Sequence, residues 1–437
     1  MNSLALIALS LLLFSTSQAQ ENLLSKDLSA NYLLSKTNNA DKNLNLLLKK
    51  YSDSNSNLIY DPTILTIAAG VESQESNYKM KDFKNTNLSC SKESSQFYLS
   101  DPAAFAKIKK DSDRLVILLN SSFSGKGWIS KIMSFYERQS SKTSFLAMKG
   151  FLTKKFTQNG AAVAPPLSGK LVAQDLYCRL SEFIEVNNFT HIDIVGLSGG
   201  ATLALHLASI DSLEEKKTFN RIISLSPVMN WLETSLAVDN EVSSIQAHGS
   251  LKKYNEHFFN VKVLASLWFS KLAKSWTNML AVSSTKKTET KFSTQRIHDL
   301  FYNSFIYDDL KRLASYEEQN GFYFSKGTYN LEYYQHTAQR HFELGYINEP
   351  KTVRDLSLLS DLRSTINTIT TPTVIIHPLD DLVSMTDQAS SLDELPSYTV
   401  DSLKAAHSNP YINTFTPEYG AHLGYLLDND WLYKLLK

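Results

Sequence analysis

The chain has 437 residues, 43% of them hydrophobic, and its 44 Lys and Arg residues balance its 44 Asp and Glu residues. This length is sufficient for one large domain or two. A net charge of zero gives no electrostatic reason to expect a nucleic-acid partner, because phosphate binding requires a basic surface.

The N-terminal residues 1–19 are predicted to be a signal peptide, because an apolar run is followed by small residues at Ser17 and Ala19. No Lys or Arg precedes the run, so an uncleaved N-terminal anchor is the alternative, although the run is short for a membrane span. We therefore expect an exported protein, either periplasmic or secreted. In an oxidising compartment Cys90 and Cys178 can form one disulfide, and two buried free thiols are the other interpretation.

Apolar runs predict strands along most of the chain. Residues 20–110 form an N-terminal extension with the first strands, and residues 111–227 contain a run at 115–119 that is typical of a strand buried on both faces. Strands alternating with helical stretches predict an α/β fold, with a mainly parallel sheet and helices on both faces. The predicted strands are 64–68, 96–99, 115–119, 161–164, 192–195, 221–225, 373–376 and 411–415, and a helix is predicted at 170–187.

The alternation of strands and helices stops at residues 228–361, which have a helical character and many aromatic side chains. A long insertion between two strands of a sheet is typical of a helical cap over the strand ends. The alternative is a helical subdomain whose aromatic residues only fill its own core. We expect some of them to line an acyl or aromatic pocket. The aromatic residues are Trp231, Phe258, Phe259, Trp268, Phe269, Trp276, Phe301, Tyr302 and Phe305.

The most informative segment of the chain is Gly196-Leu197-Ser198-Gly199-Gly200, which lies between an apolar strand and an Ala/Leu-rich helix. This is a G-x-S-x-G sequence in the strand–turn–helix context that exposes a serine at the apex of a strained turn. Glycines on either side permit the close backbone approach that such a turn requires. Ser198 is therefore the candidate nucleophile.

A serine hydroxyl needs a base, and the base needs a third group to orient it. Residues 362–437 contain both, in loops that follow the last two predicted strands: Asp380 and Asp381 come first, and His422 follows between Gly420 and Gly424. His407 is a weaker base candidate because it precedes the last strand. His377 is expected to steady the acid loop by hydrogen bonding.

These motifs resemble the α/β-hydrolase superfamily, in which the nucleophile, acid and histidine occur in this order. The sequence His377-Pro-Leu-Asp-Asp-Leu-Val is similar to the family's His-Gly-x-x-Asp-x-x-Val, and Gly420-Ala-His-Leu-Gly-Tyr425 is similar to its Gly-Gly-His-x-Gly-(Phe/Tyr). Counting from His377 assigns the acid to Asp381, with Asp380 as the alternative. The resemblance covers 114–205 and 370–428, and it is nearest to the capped esterase and lipase-like branch.

The resemblance also implies an oxyanion hole, formed by the backbone N–H of Gly199 and a second N–H after the strand at 115–119. By position the second donor is Ser122, with Ser121 as its neighbour. The chain departs here from the family's His-Gly, since it has Asn120-Ser-Ser-Phe-Ser. A backbone donor survives this change, and Asn120 or a serine hydroxyl could add a hydrogen bond.

The favoured interpretation is an exported serine hydrolase that cleaves carboxylic esters of lipid-like or other apolar acyl substrates. Alternatives are an aminopeptidase or thioesterase that uses the same machinery, and a non-catalytic binding protein of the same fold. We expect no metal and no other cofactor, because His336 and His341 do not share a helical face and no H-E-x-x-H occurs. The cap is a candidate for peripheral membrane contact, and the sequence leaves the oligomeric state open.

Overall fold

The computed structural model describes most of the predicted core. The described residues are 83–90, 104–120, 127–148, 169–237, 360–383, 396–417 and 420–427, without 87, 141, 382 and 421, and with the single positions 239, 339, 342, 355 and 358. The predicted signal peptide, the strands predicted at 64–68, 96–99 and 161–164, and most of the predicted cap lie outside them.

An eight-stranded sheet, in the spatial order β1-β2-β4-β3-β5-β6-β7-β8, forms the centre of the fold. β2 pairs antiparallel with β1 and with β4, and the other neighbouring strands are parallel. The strands are β1 (Lys84–Thr86), β2 (Ala104–Lys107), β3 (Arg114–Leu119), β4 (Ser144–Met148), β5 (His191–Leu197), β6 (Arg221–Leu225), β7 (Thr373–Ile376) and β8 (Ile412–Phe415).

Helices cover both faces of this sheet. One face packs against α2 (Gly169–Val186), α3 (Gly199–Leu213), α4 (Leu362–Thr368) and α5 (Ser397–Ser408), and the other packs against α1 (Gly127–Gln139). Side chains alternate between the two cores along each strand, as the two-residue repeat of a strand requires. In β3, for example, Ile117 lies in the first core and Leu118 in the second.

The structure confirms the predicted fold class, a mainly parallel α/β sheet with the strand order of an α/β hydrolase. The strands predicted at 115–119, 221–225 and 373–376 agree with β3, β6 and β7 within one residue. β4 and α1 were not predicted, although residues 145–148 are a continuous apolar run and the buried side chains of α1, such as Trp128, Ile132 and Phe135, recur at helical spacing. Among the described residues, no helix combines the length and the apolar composition that a membrane span requires.

The predicted cap interval is joined to the core at both of its ends. Trp231, counted among the cap aromatics, is 7% exposed and belongs to the core on the α3 face of the sheet. At the other end, the backbone N–H of Leu362 donates to the carbonyl of Met229 at 3.3 Å. The described residues at the two ends of this interval therefore lie close together beside the sheet.

A disulfide between Cys90 and Cys178 ties the region before β2 to α2. This resolves the two interpretations of the cysteines in favour of the bridge. Arg179 strengthens the same junction, because its guanidinium is held by Asp175 and donates to the carbonyl of Leu88.

Charged side chains gather at the amino ends of the parallel strands. Asp193 is 1% exposed and accepts hydrogen bonds from Arg114 at 2.7 Å and from Arg221 at 3.2 Å. Tyr136 lies beside this cluster, where burial raises the pKa of its hydroxyl to about 12. Because the carboxylate is paired twice, the cluster can be buried without an isolated charge.

A buried histidine on α3 makes the stability of the fold dependent on pH. His206 is 1% exposed, and its Nδ1 is 3.1 Å from the hydroxyl of Thr365. Burial, assisted by the positive charge of Lys170, lowers the pKa of the imidazole to about 3 from 6.5. The folded protein therefore keeps this ring neutral at pH values where an unfolded chain would protonate it.

We predict that the free energy of unfolding falls as the pH falls from about 6.5 toward 3, because only the unfolded state binds a proton at His206 in this range. The contribution of this one group is at most about 1.4 kcal/mol per pH unit. In His206→Gln the slope should be smaller, which urea denaturation at several pH values would measure. His407→Gln, at an exposed position of α5, is the matched control for replacing a histidine by glutamine. Equal slopes in all three proteins would contradict the prediction.

Candidate active site

The parallel strands bring the candidate residues to one edge of the sheet. Parallel strands have their carboxyl ends on the same side, and ligands of open α/β sheets bind there. Ser198 follows β5, Asp381 lies in the loop after β7, and His422 lies in the loop after β8. Residues far apart in the sequence are therefore placed at the same edge of the sheet.

Ser198 occupies a sharp turn between β5 and α3. Its backbone is in the left-handed region, with φ 52° and ψ −119°, which is costly for a residue other than glycine. The turn is held in place because the Ser198 N–H donates to the carbonyl of Leu225 at 2.8 Å. The Ser198 carbonyl in turn accepts from the N–H groups of Ala201 and Thr202 in the first turn of α3.

Two glycines make room for this turn. A Cβ atom at Gly196 would meet the carbonyl of Gly200 and lie 2.6 Å from the Cα of Ala201. A Cβ atom at Gly200 would meet the carbonyl oxygens of Leu119 and Asn120 at the end of β3. These contacts involve backbone, which cannot move aside as a side chain can. The start of α3 can therefore approach β3 and β5 only where both positions are glycine.

His422 is hydrogen-bonded on both sides of its ring. Its Nε2 lies 2.9 Å from Oγ of Ser198, and its Nδ1 lies 2.9 Å from each carboxylate oxygen of Asp381. His422 is 9% exposed and Ser198 is 7% exposed. The structure thus brings together Ser198, His422 and Asp381. This geometry allows Nε2 to accept the hydroxyl proton while Asp381 orients the ring.

Asp381 is almost completely buried, which by itself would raise the pKa of its carboxyl. The opposing effects of His422, of His377 and of the Val383 N–H, which donates to Oδ1 at 2.9 Å, together lower that pKa below its usual value. Asp381 therefore remains ionised at neutral pH, as a group that stabilises a protonated imidazole must.

Asp380, the alternative acid, has a different position. It is 4% exposed, so it is not solvated, and its Oδ2 accepts from the backbone N–H of Gly420 at 3.3 Å. Asp380 therefore connects the acid loop to the histidine loop. The structure brings Asp381 into hydrogen-bonding contact with Nδ1 of His422.

The two other histidines considered from the sequence have other surroundings. His377 is buried, which lowers the pKa of its imidazole, and it hydrogen-bonds the backbone of Pro227. This contact joins the acid loop to the segment after β6, as expected of a structural residue. His407 is exposed on α5.

One of the two predicted oxyanion donors belongs to the described residues. Gly199 is the first residue of α3, where the N–H groups have no partner within the helix and carry the positive end of its dipole. Ser122 and its neighbour Ser121 lie outside the described residues. Asn120, at the end of β3, is 2% exposed and is in contact with the start of α3.

The structure adds contacts that the sequence did not indicate. The Thr202 hydroxyl donates to the carbonyl of Val228 and accepts from its N–H, both at 2.9 Å, and so fixes α3 to the segment after β6. Ser226 and Tyr425 have their hydroxyl oxygens 3.1 Å apart. The sequence signal for Ser226 is weak, since it is one of many serines. Its position directly after a buried strand is the only sequence feature that indicates a place near the site.

Comparisons with known proteins gave structural similarity only. No protein-family model and no curated sequence matches the chain. An esterase of Pyrococcus furiosus is 13% identical, with a TM-score of 0.41 over 82% of this chain and 92% of that one. A carboxylesterase from Bacillus subtilis is 10% identical, with a TM-score of 0.40 over 85% of this chain and 96% of that one. A serine hydrolase from the hydrocarbon-degrading bacterium Cycloclasticus zankles is 12% identical, with a TM-score of 0.38 over 81% of this chain and 96% of that one. Identity and TM-score are low, so functional conclusions depend on the geometry of the site.

We predict that Gly200→Ala lowers the thermal midpoint of unfolding strongly, because its methyl group would overlap two carbonyl oxygens of the β3 end. Overpacking of this kind costs about 1–3 kcal/mol or more. Gly169→Ala is the comparison, since its methyl group would meet the His206 side chain and no backbone atom. We expect the thermal midpoint of Gly169→Ala to fall less than that of Gly200→Ala. Circular dichroism melting curves would measure both, and an unchanged midpoint for Gly200→Ala would contradict the close approach.

Proposed function

We propose that this protein, which has the α/β-hydrolase fold, is a serine hydrolase that cleaves carboxylic esters through an acyl-enzyme intermediate. The observation that carries the proposal is the continuous hydrogen-bond chain from Ser198 through His422 to Asp381. A neutral imidazole beside the hydroxyl and a carboxylate behind the imidazole are the two features that make a serine nucleophilic.

The first half of the proposed reaction forms the acyl-enzyme. Oγ of Ser198 attacks the ester carbonyl carbon while its proton moves to Nε2 of His422. The carbonyl oxygen becomes an oxyanion, stabilised by the Gly199 N–H and by a second donor, which we assign to Ser122. The tetrahedral intermediate then collapses, the bond to the alkoxy oxygen breaks, and that oxygen leaves as an alcohol with the proton from His422.

The second half releases the acid. A water molecule gives a proton to His422 and attacks the acyl carbon, which forms a second tetrahedral intermediate. Its collapse returns the proton to Oγ of Ser198 and frees the carboxylic acid. Asp381 keeps its charge throughout and stabilises the imidazolium each time it forms.

The substrate and the location are proposed from other features. The aromatic side chains of the interval 228–361 favour lipid-like or other apolar acyl groups, and the same interval is our candidate for peripheral membrane contact. The disulfide between Cys90 and Cys178 and the apolar N-terminus support export, because disulfides persist in oxidising compartments.

We predict that a fluorophosphonate probe labels the protein at Ser198, because the probe phosphonylates an activated serine hydroxyl. Mass spectrometry of the labelled peptide would locate the adduct, and Ser198→Ala should abolish it without changing the circular dichroism spectrum. The nearby buried Ser226 should remain unlabelled. A folded wild-type protein that does not react would contradict the enzymatic function and support the non-catalytic alternative.

Hydrolysis of para-nitrophenyl esters, of the corresponding thioesters and of amino-acid anilides would then distinguish the esterase, thioesterase and aminopeptidase alternatives.

We predict that the two neighbouring aspartates differ greatly in their effect on turnover. Asp381→Asn removes the charge that faces His422 and should lower kcat by about 10²- to 10⁴-fold. Asp380→Asn retains an oxygen that can accept from the Gly420 N–H, so we expect a decrease of less than about tenfold. Steady-state hydrolysis of para-nitrophenyl butyrate would measure both. A larger loss in Asp380→Asn than in Asp381→Asn would contradict the assignment of the acid.

A further inference from the structure

Ser226 occupies the point where the three loops of the candidate site meet. It directly follows Leu225, whose carbonyl accepts from the N–H of Ser198. Its own N–H donates to the carbonyl of Ile376, at the end of β7 and the start of the acid loop, at 2.7 Å. Ser226 is completely buried and has a left-handed backbone, with φ 49°, which is costly for serine.

The side chain of Ser226 reaches the third loop through Tyr425. The Tyr425 hydroxyl lies 3.1 Å from Oγ of Ser226, and Tyr425 is 4% exposed. Burial raises the pKa of this phenol, so the hydroxyl keeps its proton and remains a hydrogen-bond donor at all physiological pH values. A buried pair of hydroxyl groups of this kind satisfies both partners and fixes their separation.

Tyr425 belongs to the same tight turn as His422. The backbone N–H of Tyr425 donates to the carbonyl of Gly420 at 3.0 Å, so the segment that contains His422 is closed on itself. Gly420 also packs against Pro378 of the acid loop, since a Cβ atom there would lie 2.9 Å from the Pro378 ring. Moving the Tyr425 ring would therefore move His422 relative to Ser198 and Asp381.

We infer that the Ser226–Tyr425 hydrogen bond is a positioning interaction, which holds His422 at hydrogen-bonding distance from Ser198. The inference rests on the proposed function, because it assigns a role in setting the geometry of that same site. Tyr425 acts through the turn and Ser226 through the end of β6, and neither hydroxyl needs to contact the substrate. Small displacements of a catalytic base have large effects on rate, so one hydrogen bond at this point has kinetic consequences.

Tyr425→Phe tests the inference, because it removes the hydroxyl and keeps the ring that packs in the core. We expect kcat for para-nitrophenyl butyrate to fall by about tenfold or more while KM stays near the wild-type value. The rate of fluorophosphonate labelling at Ser198 should fall in parallel. Ser226→Ala should lower kcat in the same direction but by less, because the Ser226 backbone also hydrogen-bonds the Tyr425 hydroxyl. The double variant should be no slower than Tyr425→Phe, because that substitution already removes both contacts.

Tyr136→Phe is the matched control. Tyr136 is also a buried tyrosine, with its hydroxyl 3.4 Å from Arg221, but it lies at the amino ends of the strands, away from Ser198. Removing the Tyr136 hydroxyl should leave kcat unchanged even if the thermal midpoint of the variant falls. A Tyr425→Phe protein that is less stable but retains wild-type kcat would overturn the inference, since the hydrogen bond would then be only structural.

A second measurement separates this inference from the proposed function. The Nδ1 proton of His422, held by the Asp381 carboxylate, should give a ¹H NMR signal far downfield, which Asp381→Asn would identify by removing it. We expect Tyr425→Phe to broaden or abolish this signal and Tyr136→Phe to retain it. If the wild type neither labels nor hydrolyses esters, the proposed function fails, and the NMR comparison alone decides the positioning role. An unchanged signal in Tyr425→Phe would overturn that role.

Discussion

The left-handed backbone of Ser198 is the constraint on which the rest of the site depends. A conformation of this kind costs about 1–3 kcal/mol for a residue other than glycine, so the surrounding structure must impose it. The Leu225 carbonyl holds its N–H, the first turn of α3 holds its carbonyl, and Gly196 and Gly200 allow the necessary close approach. Held in this way, Ser198 keeps its Oγ 2.9 Å from Nε2 of His422.

The parallel pairing of β5 to β8 extends this constraint to the other loops. Each strand ends at the same edge, and each end is joined to its neighbour: Ser198 to Leu225, Ser226 to Ile376, and His377 to Phe415 through backbone hydrogen bonds. Side chains then connect the loops a second time, through the Ser226–Tyr425 and Asp380–Gly420 contacts. Because both backbone and side-chain hydrogen bonds connect these loops, the loops can hold Ser198, His422 and Asp381 within hydrogen-bonding distance while the three side chains remain largely buried.

Charge is divided between the two ends of the sheet. At the amino ends, Asp193 is neutralised by Arg114 and Arg221, in an arrangement that serves stability. At the carboxyl ends, the buried carboxylate of Asp381 faces a histidine, a partner whose charge can change during a reaction. A permanent cation in place of His422 would pair with Asp381 at all times and could not take up a proton. The ion pairs at the amino ends of the strands therefore have fixed charges, whereas the pair at the carboxyl ends includes a group that can gain or lose a proton.

The sequence by itself determined the fold class and the principal residues put forward for the site. β3, β5, β6 and β7 are apolar runs buried on both faces, and Gly196-x-Ser198-x-Gly200 requires a sharp turn between strand and helix; both signals are local. β4 and α1 also carry local apolar patterns, although they were not predicted. The local sequence left Asp380 and Asp381 as alternatives, because adjacent carboxylates differ only in what they meet across the fold. It also left open whether Cys90 reaches Cys178, and it gave no indication that Ser226 meets Tyr425, although Tyr425 belongs to the motif around His422. Only the tertiary structure decided these points, since each depends on a contact between residues from 41 to 199 positions apart in the chain.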